Sequence, residues 1–255
     1  RLQLGHSELF WLLMAMLQPP VFDGCTPRWQ EEGSSCPYGS ALTISFVDLL
    51  TLPSQPSFLG ALAVAYSILP PVAAVLNVVL VCARCRLRET RWLFASVLSG
   101  LAFVVLKFFI QQPRPRSCLT SCGMPSGHST YACTMFVMFL WDFALEQPRL
   151  PLLRCLGVAA ALAVLWLPVL WARVELGDHS PAQVLVGSLL GCGTAVFCIW
   201  VDDVGRRRRG LPPPSPDAPL FSLRQPARAP PGVPLRAGAP DGSGPCANGP
   251  ARSDA

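Results

Sequence analysis

Apolar residues gather in five long stretches separated by short polar connectors. Phe58–Ala83 carries no charge. Trp92–Ile110 is interrupted only by Lys107 and Ser129–Leu145 only by Asp142, while Cys155–Ala172 and Ser180–Val201 are uncharged. A helix needs about 20 mostly apolar residues to cross a bilayer, and lipid leaves the backbone no partner but itself. The pattern therefore predicts five membrane-spanning helices. Pro70 and Pro71 are expected to kink or break the first, and Pro168 to bend the fourth. Ala41–Leu52 is apolar but contains Asp48 and reads as a rim helix, leaving open whether residues 1–56 add a sixth span. The apolar run Leu9–Leu17 is too short to span. It fits a truncated span, a signal core or an interfacial helix.

Composition sharpens this. Of 255 residues, 51% are hydrophobic and only 14% charged, where an average soluble domain has about 25% charged residues. One compact soluble domain is excluded, as are a collagen-like repeat and a wholly disordered chain. Residues 211–255 hold 12 of the 27 prolines and no long apolar run, so they read as a disordered tail. Its LPPPSP stretch could dock a polyproline-binding module, although a plain flexible tail is the simpler reading. Three segments result: an N-terminal lumenal or interfacial segment 1–56, a membrane body 57–201, and a basic anchor with its tail, 202–255.

Arginine sets the expected orientation. Arg84, Arg86, Arg88 and Arg91 follow the first span, Arg149 and Arg154 the third, and Arg206–Arg209 the fifth. If five spans alternate, all three groups share one side, expected to be cytoplasmic. The last run reads as a stop-transfer anchor meeting anionic lipid. No aromatics interleave with it, so nucleic-acid binding is not expected.

Three polar clusters then fall on the opposite side. In KFFIQQPRP, Lys107 precedes Arg114 by seven positions. Pro125–His128 reads PSGH. In RVELGDH, Arg173 precedes His179 by six positions. Cations at the rim of an apolar slab are functional candidates. Lys107, Arg114 and Arg173 together suit a ligand with several anionic oxygens, such as a phosphate. Ser126 and Gly127 open the third span, where a helix N-terminus offers N–H groups to an anion. Two histidines can supply a nucleophile and a proton donor.

At these residues the sequence resembles the type 2 phosphatidic acid phosphatase superfamily of membrane lipid phosphatases, which includes glucose-6-phosphatase and is related to vanadium haloperoxidases. Its pattern is Lys-x6-Arg-Pro, then Pro-Ser-Gly-His, then Ser-Arg-x5-His-x3-Asp. The resemblance implies an all-α polytopic membrane bundle of five to six spans. It implies His179 as the nucleophile forming a phosphohistidine, and His128 as the acid for the leaving group. Lys107, Arg114, Ser126, Gly127 and Arg173 would bind the phosphate, with no metal or other cofactor. Ala172 and Gln183 depart from the pattern, standing where it has Ser and Asp. Gln183 would orient His179 by accepting a ring N–H bond without supplying charge, for which Asp178 or Glu175 could compensate.

Within the superfamily, IQQPRP, GMPSGHS and HSPAQVLVG look like the dolichyl diphosphatase versions of the three motifs. That likeness implies hydrolysis of dolichyl diphosphate to dolichyl phosphate on the lumenal face of the endoplasmic reticulum membrane, recycling the lipid carrier of N-glycosylation. The expected partners are a polyisoprenyl diphosphate and the bilayer. Two other readings stand beside it: a phosphatase for phosphatidic acid or other isoprenyl diphosphates, and a non-catalytic scaffold of the same fold. The histidine pair and three cations argue against the scaffold.

Of the 11 cysteines, Cys82, Cys85, Cys133, Cys155, Cys192 and Cys198 lie in or beside spans and read as small apolar residues. Cys25, Cys36, Cys118 and Cys122 fall on the expected lumenal side, where disulfides persist. A Cys118–Cys122 bond is expected to stiffen the loop before PSGH. The alternative pairs them with Cys25 or Cys36.

Overall fold

The computed structural model describes residues 25–44, 47–55, 57–84, 86–145, 151–208 and 210. The run Leu9–Leu17, the tail 211–255 with its LPPPSP stretch, Cys85, Arg149, Arg209 and Cys246 lie outside these residues. Five helices make the body: α1 Phe58–Arg84, α2 Leu87–Ile110, α3 Gly127–Leu140, α4 Leu152–Glu175 and α5 Pro181–Arg208. By length and composition α1, α2, α4 and α5 can cross a membrane, the architecture of a multi-pass membrane protein.

The third predicted span comes out differently. Among the described residues four helices, not five, are long and apolar enough to cross. The α-helical part of α3 is 14 residues and ends in a π-helical turn, Trp141–Leu145. Within that wider turn Asp142 is buried. It accepts from Trp92 Nε1 at 2.6 Å and pairs with Arg91 at 3.0 Å. α3 is the central helix, packed by α2, α4 and α5. Its Ala132, Met135 and Met138 meet Trp92, Trp166, Val169 and Ala195 in the main core. The outer helices leave Val72, Val75, Leu76, Val79, Phe94, Val105, Val164 and Leu189 exposed, as side chains facing lipid would be.

α5 lies closest to α3 because two glycines remove its side chains there. A Cβ on Gly187 would sit 2.6 Å from the Ser126 carbonyl oxygen, and one on Gly191 would overlap the Thr130 carbonyl. Thr134 Oγ1 donates to both Thr130 O and Gly191 O, at 2.8 and 3.1 Å. Small residues four apart allow such approach in membrane helices. The prolines do not break their helices: α1 is continuous through Pro70 and Pro71, and α4 through Pro168. α5 runs on past residue 201, the expected end of the membrane body, to Arg208.

The expected rim helix is instead a hairpin. β1 Gly39–Ile44 pairs antiparallel with β2 Val47–Pro53, Gly39 opposite Pro53 and Leu42 opposite Leu50. Leu49 and Leu50 are buried against Ala63 of α1 and Ala172 and Leu176 at the end of α4. Short apolar runs do not distinguish strand from helix by periodicity, and this packing decides it. The hairpin is the exception to an otherwise helical fold.

The two ends of the bundle differ in charge. Arg91, at the start of α2, pairs with Asp142 and with Asp202 near the end of α5, and Arg206 pairs with the same Asp202. Two of the expected basic groups thus meet at one end. Lys107, Arg114, His128, Arg173 and His179 belong to the other.

Candidate functional site

Lys107 lies in the last turn of α2 and is buried, its Nζ 5.6 Å from the Phe103 ring centroid. α2 then stops: Gln111 adopts a left-handed conformation (φ 43°), and its N–H closes on Lys107 O. The loop leading to α3 returns across the bundle end, held by a 2.7 Å bond from Gly123 N–H to Gln112 O. Ser126 caps α3, its hydroxyl accepting from Ser129 N–H and Ser129 Oγ. Gly127 opens the helix with the Phe103 ring 3.2 Å from where a Cβ would stand. His128 follows in the first turn. Its Nε2 is buried without a hydrogen-bond partner, and the backbone of Ser67 in α1 is near enough to its ring to favour the protonated form. The Ser67 carbonyl is available because position 71 is proline and has no N–H to give it.

Arg114 is anchored on several sides. Nε donates to Ser121 O at 2.8 Å, Nη2 to Ser121 Oγ at 3.0 Å, and Nη1 to Asp178 O at 3.1 Å. Nη1 also lies 2.9 Å from Nε2 of His179. Arg173, fully buried in the last turn of α4, pairs with Asp178 at 2.9 Å and donates to Leu49 O of the hairpin at 3.2 Å; its Nε has no hydrogen-bond partner. His179 follows α4 in a short turn, and its N–H donates to Arg173 O at 3.1 Å. Its Nδ1 is buried without a partner.

Electrostatics tie these groups together. Burial, then the charges of Arg114, Arg173 and Lys107, then His128, hold the His179 ring well below its ordinary pKa, so the ring is neutral at neutral pH. Burial alone would raise Asp178. The Arg173 and Arg114 charges and the Ser117 and Thr51 hydroxyls outweigh it and keep the carboxyl below the usual range. All three expected cations and both histidines therefore share one electrostatic site.

Gln183 does not orient His179 as expected. Its Oε1 accepts from Ser180 N–H at 3.1 Å, and its Nε2 donates to Gln112 Oε1 and Pro113 O, each at 3.0 Å. The amide instead ties the start of α5 to the Arg114 loop. A carboxylate could not make the two donating bonds. Of the two acids expected to compensate for charge, Asp178 is buried at the site, whereas Glu175 is exposed.

The disulfides also differ from the expected pair. Cys25 bonds Cys122 and Cys36 bonds Cys118. Each loop cysteine is met by one from the N-terminal segment, which also sends Trp29 Nε1 to Ser117 O. The residues missed in the sequence are Thr51, Gln112, Ser117 and Ser121. Gln112 lies inside the IQQPRP motif, but its bond to Gln183 does not show there. Ser121 meets Arg114 only through the fold of its own loop, and Thr51 and Ser117 act through contacts distant in the chain. Among the described residues, no group of three or more His, Cys, Asp or Glu is placed to hold a metal ion.

Residues 89–206 match the PAP2 superfamily. This domain is just under half of the chain and runs from the first turn of α2 to near the end of α5. It contains every expected site residue, and α1 and the hairpin precede it. No curated protein and no solved structure matches the chain.

Proposed function

We propose that this protein is a lipid phosphatase of the PAP2 kind that hydrolyses dolichyl diphosphate to dolichyl phosphate and orthophosphate. The observation that carries the reading is the convergence of Lys107, Arg114 and Arg173 on two histidines, His179 buried and His128 half-buried, within a PAP2 domain. Members of that family are phosphatases. The QQPRP and HSPAQV forms of the motifs favour a polyisoprenyl diphosphate.

The chemistry follows from the donors. Arginine can only donate, so Nε2 of His179 is the acceptor in their contact and carries the lone pair. That nitrogen attacks the terminal phosphorus, and the bond to the bridging oxygen breaks. Burial and then the charges of Arg173, Arg114 and Lys107 hold the His128 ring well below its ordinary pKa before substrate binds. The bound diphosphate offsets those cations, so that the ring takes up the proton it gives to the leaving dolichyl phosphate. It then takes a proton from water, whose oxygen attacks the phosphohistidine. Orthophosphate leaves and His179 is restored. Lys107, Arg114 and Arg173 balance the charge on the transferring group, and the N-terminus of α3 at Ser126 and Gly127 adds N–H donors. In this reading the site faces the lumen of the endoplasmic reticulum and the basic end faces the cytoplasm.

Phosphate release from purified protein tests it. Dolichyl diphosphate, phosphatidic acid and shorter isoprenyl diphosphates are compared using wild type and His179→Ala. Dolichyl diphosphate is expected to turn over fastest, and the variant to show background only. Faster turnover of phosphatidic acid moves the reading to a broader lipid phosphatase. Identical background from both proteins on every lipid ends the enzyme reading.

A further inference from the structure

We propose that Thr51 and Asp178 are positioning residues, through which the N-terminal hairpin holds Arg173 and the His179 peptide in their working places. The proposal rests on the phosphatase reading above and extends it beyond the PAP2 domain, since Thr51 precedes that domain.

The Asp178 carboxylate is engaged at both oxygens. Oδ1 accepts from Thr51 Oγ1 and Ser117 Oγ, both at 2.6 Å. Oδ2 accepts from Thr51 N–H at 3.1 Å and pairs with Arg173 at 2.9 Å. Three hydrogen bonds and the ion pair with Arg173 thus hold the carboxylate. None of these contacts is to the His179 ring, so Asp178 acts through its neighbours.

Those neighbours are the site. On one side the carboxylate fixes Arg173, whose other bond also ends on the hairpin, at Leu49 O. On the other, the Asp178 carbonyl takes Arg114 Nη1, the nitrogen that faces His179. The next peptide closes the loop, His179 N–H donating to Arg173 O. One residue thus links two arginines to the histidine between them. Its negative charge is also one that Gln183 does not supply.

Thr51 is chemically suited to this place. Its hydroxyl donates to Asp178 and accepts from Cys118 N–H at 2.9 Å, and Cys118 is bonded to Cys36. The hairpin, the disulfide-held loop and the Asp178 carboxylate therefore meet at one oxygen. Valine has the same shape without that oxygen, and serine keeps the oxygen without the methyl.

The test uses the full chain in detergent with the fastest lipid substrate. Thr51→Val is expected to lower kcat about tenfold, the fold-change of one charge-assisted hydrogen bond. KM stays within about twofold, because the long apolar chain dominates substrate retention. Thr51→Ser restores most of kcat, and Asp178→Asn lowers it on the order of 10²-fold, as misplacement of catalytic groups does. Wild-type kcat in Thr51→Val, equal losses in the Val and Ser variants, or a loss confined to KM each overturn the proposal. Calorimetric titration with orthophosphate needs no turnover and keeps the two ideas separate. If wild type cleaves no lipid, the phosphatase reading fails, while weaker orthophosphate binding in Thr51→Val still supports the clasp and equal binding refutes it.

Discussion

Arg114 Nη1 lies 2.9 Å from Nε2 of His179. A guanidinium has no lone pair to offer, so this contact assigns the ring proton to Nδ1. The arginine proposed to grip the phosphate is thus also the group that fixes the nitrogen proposed as nucleophile before substrate arrives.

The first prediction concerns pH. His179 titrates well below 6.5, chiefly through burial and then through Arg114, Arg173 and Lys107. Activity through a neutral His179 should persist at pH 6.5 and fall only under more acid conditions, as the ring gains its proton. Replacing Lys107 with Gln removes one of the charges, raises the ring's pKa, and should move the acid limb of the kcat/KM profile to higher pH. Residual phosphate release measured across pH would show it. A limb that stays put or moves to lower pH contradicts the electrostatic account.

Pro71 gives a second. Pro71→Ala supplies the N–H that the Ser67 carbonyl lacks in α1, and so weakens the pull of that backbone on the His128 ring. The variant should melt at a higher temperature, because an interior helical bond is regained. It should also turn over more slowly, because less of His128 then carries a proton. Melting and turnover are read on the same preparation, and a variant both more stable and fully active would count against the role given to the Ser67 carbonyl.

The contact between α3 and α5 predicts a sharp difference between neighbours. Gly191→Leu forces a side chain onto the Thr130 carbonyl and Cys133 and should cost about 1–3 kcal/mol or more. A Cβ on Gly193 meets nothing within 4 Å, so Gly193→Ala should cost only about 1 kcal/mol or less in either direction. Thermal melting in detergent compares the two, and equal losses would refute this packing.

Gln183 yields the fourth. The PAP2 pattern has Asp at this position, yet Gln183→Asp should reduce activity here. It removes both donors to the Arg114 loop and faces Gln112 Oε1 and Pro113 O with another acceptor, at about 1–3 kcal/mol for each polar group left unsatisfied. Higher turnover in the variant would show that charge at 183 matters more than the loop tie.

The outer helices were legible because each is a long run with little or no charge. The convergence of Lys107, Arg114, His128, Arg173 and His179 was legible because its motifs fall at or near helix ends on one side of the bundle, although the contacts from Leu49 and Thr51 that hold them come from far upstream. The hairpin was not. Ala41–Leu52 is short and apolar, and only its packing on Ala63, Ala172 and Leu176 selects a strand pair. The cysteines misled in the same way. Cys118 and Cys122 are near in sequence, but the partner of each lies far upstream. Thr51 and Ser117 left no trace, since a single hydroxyl gains meaning only from the carboxylate it meets. Gln183 was legible as a departure from the family pattern, whereas its bonds to Gln112 and Pro113 depend on the fold of a loop 70 residues earlier.

The two disulfides also impose an order on manufacture. They join cysteines 97 and 82 positions apart. A chain grows at about 5–20 residues per second, so each early thiol waits on the order of 4–20 seconds for its partner to be made. Two helices are synthesised in that interval. The hairpin, Cys25 and Cys36 are made before the loop they are fastened to, and the Arg173–Asp178–Thr51 junction can be completed only once residues 173–178 have followed. Assembly of the site is therefore a late event in the life of each molecule, and a slow oxidation step would leave a full-length, inserted chain that has not yet acquired its chemistry.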